Sequence, residues 1–112
     1  MAEQSQTAFA KNQDVLPLQG EIDLHVSPRI AASLHEMIAK KPSQLLVDLS
    51  LVTYVDSSGL AVLIEAMQSI AQQGGKFGIV GMQPTVRSIF EISRLDQVFR
   101  IFPDLAAASV AA

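Results

Sequence analysis

Apolar positions along this chain follow two rhythms, one of period two and one of period 3.6, and the switches between them divide it into elements. TAFAKNQ and DVLPLQGEID alternate in part and are separated by Asn12-Gln13-Asp14, a pattern that predicts two strands joined by a turn. Pro17 has no N–H for a ladder, so its strand belongs at an edge or turns that nitrogen away from its neighbour. Ser27-Pro28 reads as a helix start, an N-cap residue followed by proline at the first helical position. Ile30, Leu34, Met37 and Ile38 then form one apolar stripe opposite Arg29, Glu36 and Lys40, until Pro42 ends the run. QLLVDLS is apolar without alternation, as in a parallel strand covered on both faces. Beyond Asp56-Ser57-Ser58-Gly59, the residues Leu60, Leu63, Ile64, Met67, Ile70 and Ala71 fall on one arc of a second helix, which Gln73-Gly74-Gly75 closes with a left-handed cap. KFGIVGM predicts a strand, QPTVRSIFEIS a helix entered through Pro84, VFRIF a short strand and PDLAAASVAA a short terminal helix.

Strands that alternate with helices call for right-handed crossovers and a mostly parallel sheet. The predicted class is a single α/β domain over 1–112, with a mixed, mostly parallel sheet of four to five strands packed by about four helices, and residues 1–6 as a flexible tail. A length of 112 residues and a hydrophobic fraction of 49% suit one shared core.

Composition narrows the chemistry. With no cysteine in the sequence, disulfides, thiolate metal sites and cysteine nucleophiles are excluded. The formal net charge of -3 and the scattered lysines and arginines argue against nucleic-acid binding. MAEQSQTAFAKNQDV has no basic segment leading into an apolar one, and no apolar run reaches the roughly 18 residues of a membrane span, so a cytoplasmic protein is expected.

The tetrapeptide at 56–59 carries the candidate chemistry. A helix that starts there has first-turn amides in need of acceptors. Ser57 is read as the N-cap, its hydroxyl turned back to the backbone, and Ser58 as the first helical residue, on the solvent side with Val62, Glu65 and Ser69. Serine before a helix is most often only a cap. Val62, β-branched and one turn beyond Ser58, is a candidate contact for another protein.

Catalytic readings fail on pattern. The nucleophile elbow of hydrolases needs glycine two positions to either side of the serine, but Ser58 has Asp56 and Leu60 there, and Ser57 has Val55 and Gly59. His25 and His35 are placed as solvated or capping residues rather than as a base. GGKFG lacks the hydroxyl that follows lysine in a phosphate loop. Glu21, Asp23, Asp48 and Asp56 lack the spacing of a calcium loop. No catalytic residue, metal or cofactor is assigned, and the chain is read as a non-enzyme.

Two segments carry a resemblance. DLSLVTYVDSSGLAVL is similar to the hallmark segment of the STAS domain, found in anti-sigma factor antagonists and at the end of sulphate transporters, and PLQGEIDL resembles the Gly-Glu-Leu-Asp segment of that family. The likeness runs from about Val15 to Ile101 and takes in the Gly74-Gly75 turn and PTVRSIFEISRLDQVF. In the antagonist branch the serine before the motif glycine is phosphorylated by a kinase that is also the anti-sigma factor, and here that serine is Ser58. The resemblance further implies a partner-binding surface of Asp23, Asp56, Ser57, Ser58, Gly59 and Val62, a serine kinase and a serine phosphatase as partners, and a monomer or weak dimer. An alternative within the family is a non-switching STAS subunit of an ABC-type lipid transport complex. A stressosome component is a third, though it normally carries a further N-terminal domain.

Overall fold

A computed structural model describes residues 13–111. The first predicted strand, TAFAKNQ, and the expected tail at 1–6 lie outside them, apart from Gln13, which opens the first described strand. In chain order the elements are β1 (Gln13–Ile22), α1 (Ser27–Ala39), β2 (Gln44–Val55), α2 (Ser57–Gln72), β3 (Lys76–Val80), α3 (Pro84–Ile92), a 3-10 turn (Leu95–Gln97), β4 (Arg100–Phe102) and α4 (Leu105–Ala111). The described strands form one four-stranded sheet in the order β1-β2-β3-β4, every pair parallel. This is the α/β domain that the alternation of rhythms predicts.

Each strand is followed by its spatial neighbour, so right-handed crossovers put α1, α2 and α3 on the same face. Burial follows that rule. Leu34 and Ile38 of α1, Leu63, Ala66 and Ile70 of α2, and Val86 and Phe90 of α3 pack with Leu45, Val47, Leu49, Phe77 and Ile79 into one core. On the opposite face Ala108 of α4 is fully buried against Leu46 and Val80, with Val15, Phe102 and Leu105 around it. Leu45, Leu46 and Val47 are therefore all at 0% exposure, which is why QLLV shows no alternation. Phe99 closes the base of the core, its ring 5.9 Å from Phe77 and 5.7 Å from Phe90.

Two helix ends are closed by backbone groups. At the start of α1 the predicted cap, Ser27, is instead the first helical residue and is buried, while Val26 occupies the cap position without a side-chain bond. The Asp23 carbonyl accepts the Val26 and Ser27 amides at 3.1 and 2.9 Å, so a backbone turn does the work of a serine hydroxyl. At the end of α2 Gly74 has φ +83°, and the Gly74 and Gly75 amides donate to Ala71 and Ile70 carbonyls, the Schellman pattern expected of the glycine pair. Among the described residues no helix is long and apolar enough to cross a membrane.

Candidate functional site

Strand lengths create the site. β3 pairs with β2 only as far as Asp48–Val80, whereas β2 runs on to Val55 beside Ile22 of β1. Two register shifts, between Pro17 and Gln19 and between Gly20 and Glu21, give β2 more residues than the facing stretch of β1. The upper half of β2 therefore stands above β3, and the chain leaves β1 and β2 at the same sheet end. There the Asp56 amide donates to the Ile22 carbonyl at 3.0 Å, which fixes the start of α2 to β1.

Asp56, not Ser57, caps α2. Its backbone is extended (φ -93°, ψ -176°), and Oδ1 accepts from the Ser58 amide at 2.9 Å and the Gly59 amide at 3.1 Å. Aspartate is as good an N-cap as serine and adds a negative charge at the positive end of the helix dipole, so the helix begins one residue earlier than read from the serine pair. Ser57 becomes an exposed first helical residue. Ser58 is the second, half-buried, and its hydroxyl donates to the same Asp56 oxygen at 2.6 Å rather than standing free in solvent. The Ser58 hydroxyl bond foremost, with amide bonds from Gly59, Ser58 and Leu24, holds the Asp56 carboxyl below its ordinary value against the opposing effect of partial desolvation.

Gly59 is buried for a steric reason. A Cβ there would stand 2.8 Å from both Ile22 Cγ2 and Val55 Cγ1, so the absent side chain sets how closely α2 starts against the ends of β1 and β2. Val62 does not lie on an open face. It is half-buried, packs on the core and lines a narrow crevice between α1 and α2 with Leu34, His35 and Ala66. The wheel of α2 alone could not show this, because the covering residues come from α1.

Asp23 follows β1 as Asp56 follows β2. Its carboxylate accepts the His25 amide at 3.0 Å, and its side chain is 38% exposed. The structure thus brings Asp23, Asp56, Ser57, Ser58 and Gly59 to one end of the sheet and leaves Val62 one turn down the α1–α2 seam. Sequence reasoning missed three apolar side chains associated with this end: Leu24 is 70% exposed, Leu51 64% and Tyr54 48%. Leu24 adjoins Asp56 through its amide, and Leu51 and Tyr54 lie on the part of β2 that outruns β3. The readable signal was LVTYV, a strand-like run that continues past the predicted end of the central strand at Ser50.

The surface is acidic and shallow. Glu21, Asp23 and Asp56 occupy this end, yet among the described residues no group of three or more histidines and carboxylates is placed to hold a metal ion. Two open recesses of about 420 and 400 Å³, one between β1 and α1 at Leu18 and Ile30, the other beside Asp48, Val80 and Leu105, do not border Asp56 or Ser58. An exposed end with isolated apolar side chains suits a macromolecular face better than an enclosed small-molecule pocket.

Comparison with known proteins agrees with this geometry. The STAS domain family model matches residues 6–108. The chain is 35% identical over 91 residues to the anti-sigma-F factor antagonist RsfB of Mycobacterium tuberculosis, covering 81% of this chain and 74% of that protein. The crystal structure of an anti-sigma factor antagonist from Mycobacterium paratuberculosis superimposes with a TM-score of 0.82 at 29% identity, covering 91% of this chain and 86% of that one. A sulfate transporter family protein from Wolinella succinogenes reaches the same TM-score of 0.82 at 16% identity, a likeness of fold alone. The chain belongs to the STAS domain family. Two of its relatives, RsfB and the anti-sigma-B factor antagonist of Listeria monocytogenes, the latter 32% identical over 82 residues and covering 73% of this chain and 72% of that protein, are named as antagonists of anti-sigma factors.

Proposed function

We propose that this protein is an anti-sigma factor antagonist that works as a phosphorylation switch: with Ser58 unmodified it docks an anti-sigma factor that is also a serine kinase, and with Ser58 phosphorylated it lets go. The observation that carries the reading is the Ser58 hydroxyl at the mouth of α2, on an exposed sheet end bordered by Asp23, Leu24 and Asp56. The names of the antagonist relatives and the DSSG match support it. Asp23, Asp56, Ser57, Ser58 and Gly59 make up the docking end, with Val62 at its flank, and a serine phosphatase resets the switch.

The physical basis is desolvation. A docked partner that covers Ser58 removes water from a neutral hydroxyl at little cost. A phosphoserine brings about 1.5 to 2 negative charges and three acceptor oxygens, and stripping water from such an ion without a matched cation costs several kcal/mol. Each 1.4 kcal/mol is about tenfold in affinity. Glu21, Asp23 and Asp56 at this end are acids and add repulsion to that cost.

Titration calorimetry of the cognate anti-sigma kinase against unmodified protein, Ser58→Ala and protein carrying phosphoserine at 58 tests this. The first two are expected to bind alike and the third at least 100-fold more weakly. Equal affinity of all three, or transfer of phosphate from ATP to a residue other than Ser58, would overturn the switch.

A further inference from the structure

The hydroxyl that accepts the phosphoryl group and the cap of α2 form one hydrogen-bonded unit. Asp56 Oδ1 lies 2.6 Å from Ser58 Oγ, a separation that two oxygens keep only while a proton sits between them. The same carboxylate oxygen holds the Ser58 and Gly59 amides. In phosphorylation the terminal P–O bond of a nucleoside triphosphate breaks, Oγ–P forms, the nucleoside diphosphate leaves with the bonding pair, and the hydroxyl proton passes to a base. Oγ then has nothing to donate, and the Asp56 carboxylate faces an ester oxygen that carries a dianion.

Resting on the reading of Ser58 as the phosphorylated residue, we propose that phosphorylation exchanges the cap of α2: phosphate oxygens take the Ser58 and Gly59 amides, and the Asp56 carboxylate turns out onto the docking surface. Three features favour exchange over coexistence. The proton that reconciles the two oxygens is lost, so the 2.6 Å contact becomes repulsive. The first turn, Ser57-Ser58-Gly59-Leu60, has no cationic side chain, which leaves its amides as the donors at hand, and the amino end of a helix is a good place for a phosphate. Asp56 also has a way out. It is only half-buried and lies between exposed Leu24 and Ser57, while its main chain stays anchored by its amide on Ile22 at 3.0 Å and its carbonyl under the Leu60 amide at 3.0 Å. The side chain can swing while the backbone keeps its place, so the fold persists and the charge pattern offered to a partner changes.

The test is a stability cycle. Phosphoserine is installed at 58 during translation, so that no kinase is needed, and each form is made with and without Asp56→Ala. In unmodified protein the substitution removes the cap and is expected to lower the thermal midpoint by about 4 to 8 °C; in the phosphoserine protein the drop should shrink to about 1 °C or less. A variant that folds only when phosphorylated would also support the exchange. Equal drops in the two forms, or failure of the variant to fold in both, would show that Asp56 still caps and would overturn it. A crystal structure of the phosphoserine protein gives a second reading: exchange predicts phosphate oxygens on the Ser58 and Gly59 amides, and a carboxylate still on both would refute it. These results are separable from the functional proposal, because a non-additive cycle can coexist with unchanged partner affinity, and an additive one with its loss.

Discussion

Asp56 is the residue on which most of the site turns. It follows β2 with its amide on Ile22, caps α2 and holds the Ser58 hydroxyl, and the last two roles make its ionisation a matter of stability. Its carboxyl is held below the ordinary value, so the stabilisation is fully present above that value, near pH 4, and is lost as pH falls through the lower folded-state value. Asp56→Asn should therefore lower the urea midpoint at pH 7 and flatten its decline below about pH 4, a comparison with wild type that urea titrations at several pH values would make. Ser57 and Gly59 test the assignment from either side. Ser57→Ala touches no cap bond and should stay within about 0.5 kcal/mol of wild type. Gly59→Ala forces a methyl to 2.8 Å from Ile22 and Val55 and should cost about 1 to 3 kcal/mol in denaturant unfolding. A Ser57→Ala loss larger than that of Asp56→Asn would contradict the cap described above.

At the level of elements, α2 was the most legible in sequence and also the most instructive in its errors. Its inner stripe of Leu63 and Ile70 and its glycine stop follow from local chemistry, and both are found. Gly74→Ala should cost about 1 kcal/mol through the left-handed backbone alone, since nothing lies within 4 Å to clash with a methyl; chemical denaturation with an unchanged slope would show it. What periodicity missed is what other elements impose. Ala66 is buried and Ala71 exposed because the helix rolls toward α1, and Val62 is covered for the same reason. The start of α1 was misplaced because a backbone carbonyl from the β1–α1 turn, invisible in composition, replaces the serine cap.

For the molecule as a whole, the unequal lengths of β2 and β3 decide where a partner can approach. Because β2 outruns β3, Leu51 and Tyr54 stay uncovered on its upper half, and Leu24 stands exposed beside Asp56. Exposed side chains contribute little to folding but can anchor an interface. The double substitution Leu24→Ser with Leu51→Ser should leave the unfolding free energy within about 0.5 kcal/mol of wild type while weakening binding of the anti-sigma partner at least tenfold in the same calorimetric assay. Unchanged binding would remove these residues from the docking face.

Among the described residues the sequence by itself determined the order of strands and helices, a mostly parallel sheet and the family, because these depend on local periodicity, turn chemistry and a motif that spans a strand end and a helix start. It also singled out Ser58, through that motif, as the residue proposed for modification. Only the tertiary structure decided that Asp56 rather than Ser57 caps the helix, that Ser58 is tied to it, that Val62 is partly covered and that Leu24, Leu51 and Tyr54 are not. The reason is physical: a hydrogen-bond partner or a covering side chain is set by which strands end together and which helices lie side by side, and neither is encoded in the spacing of residues within one element.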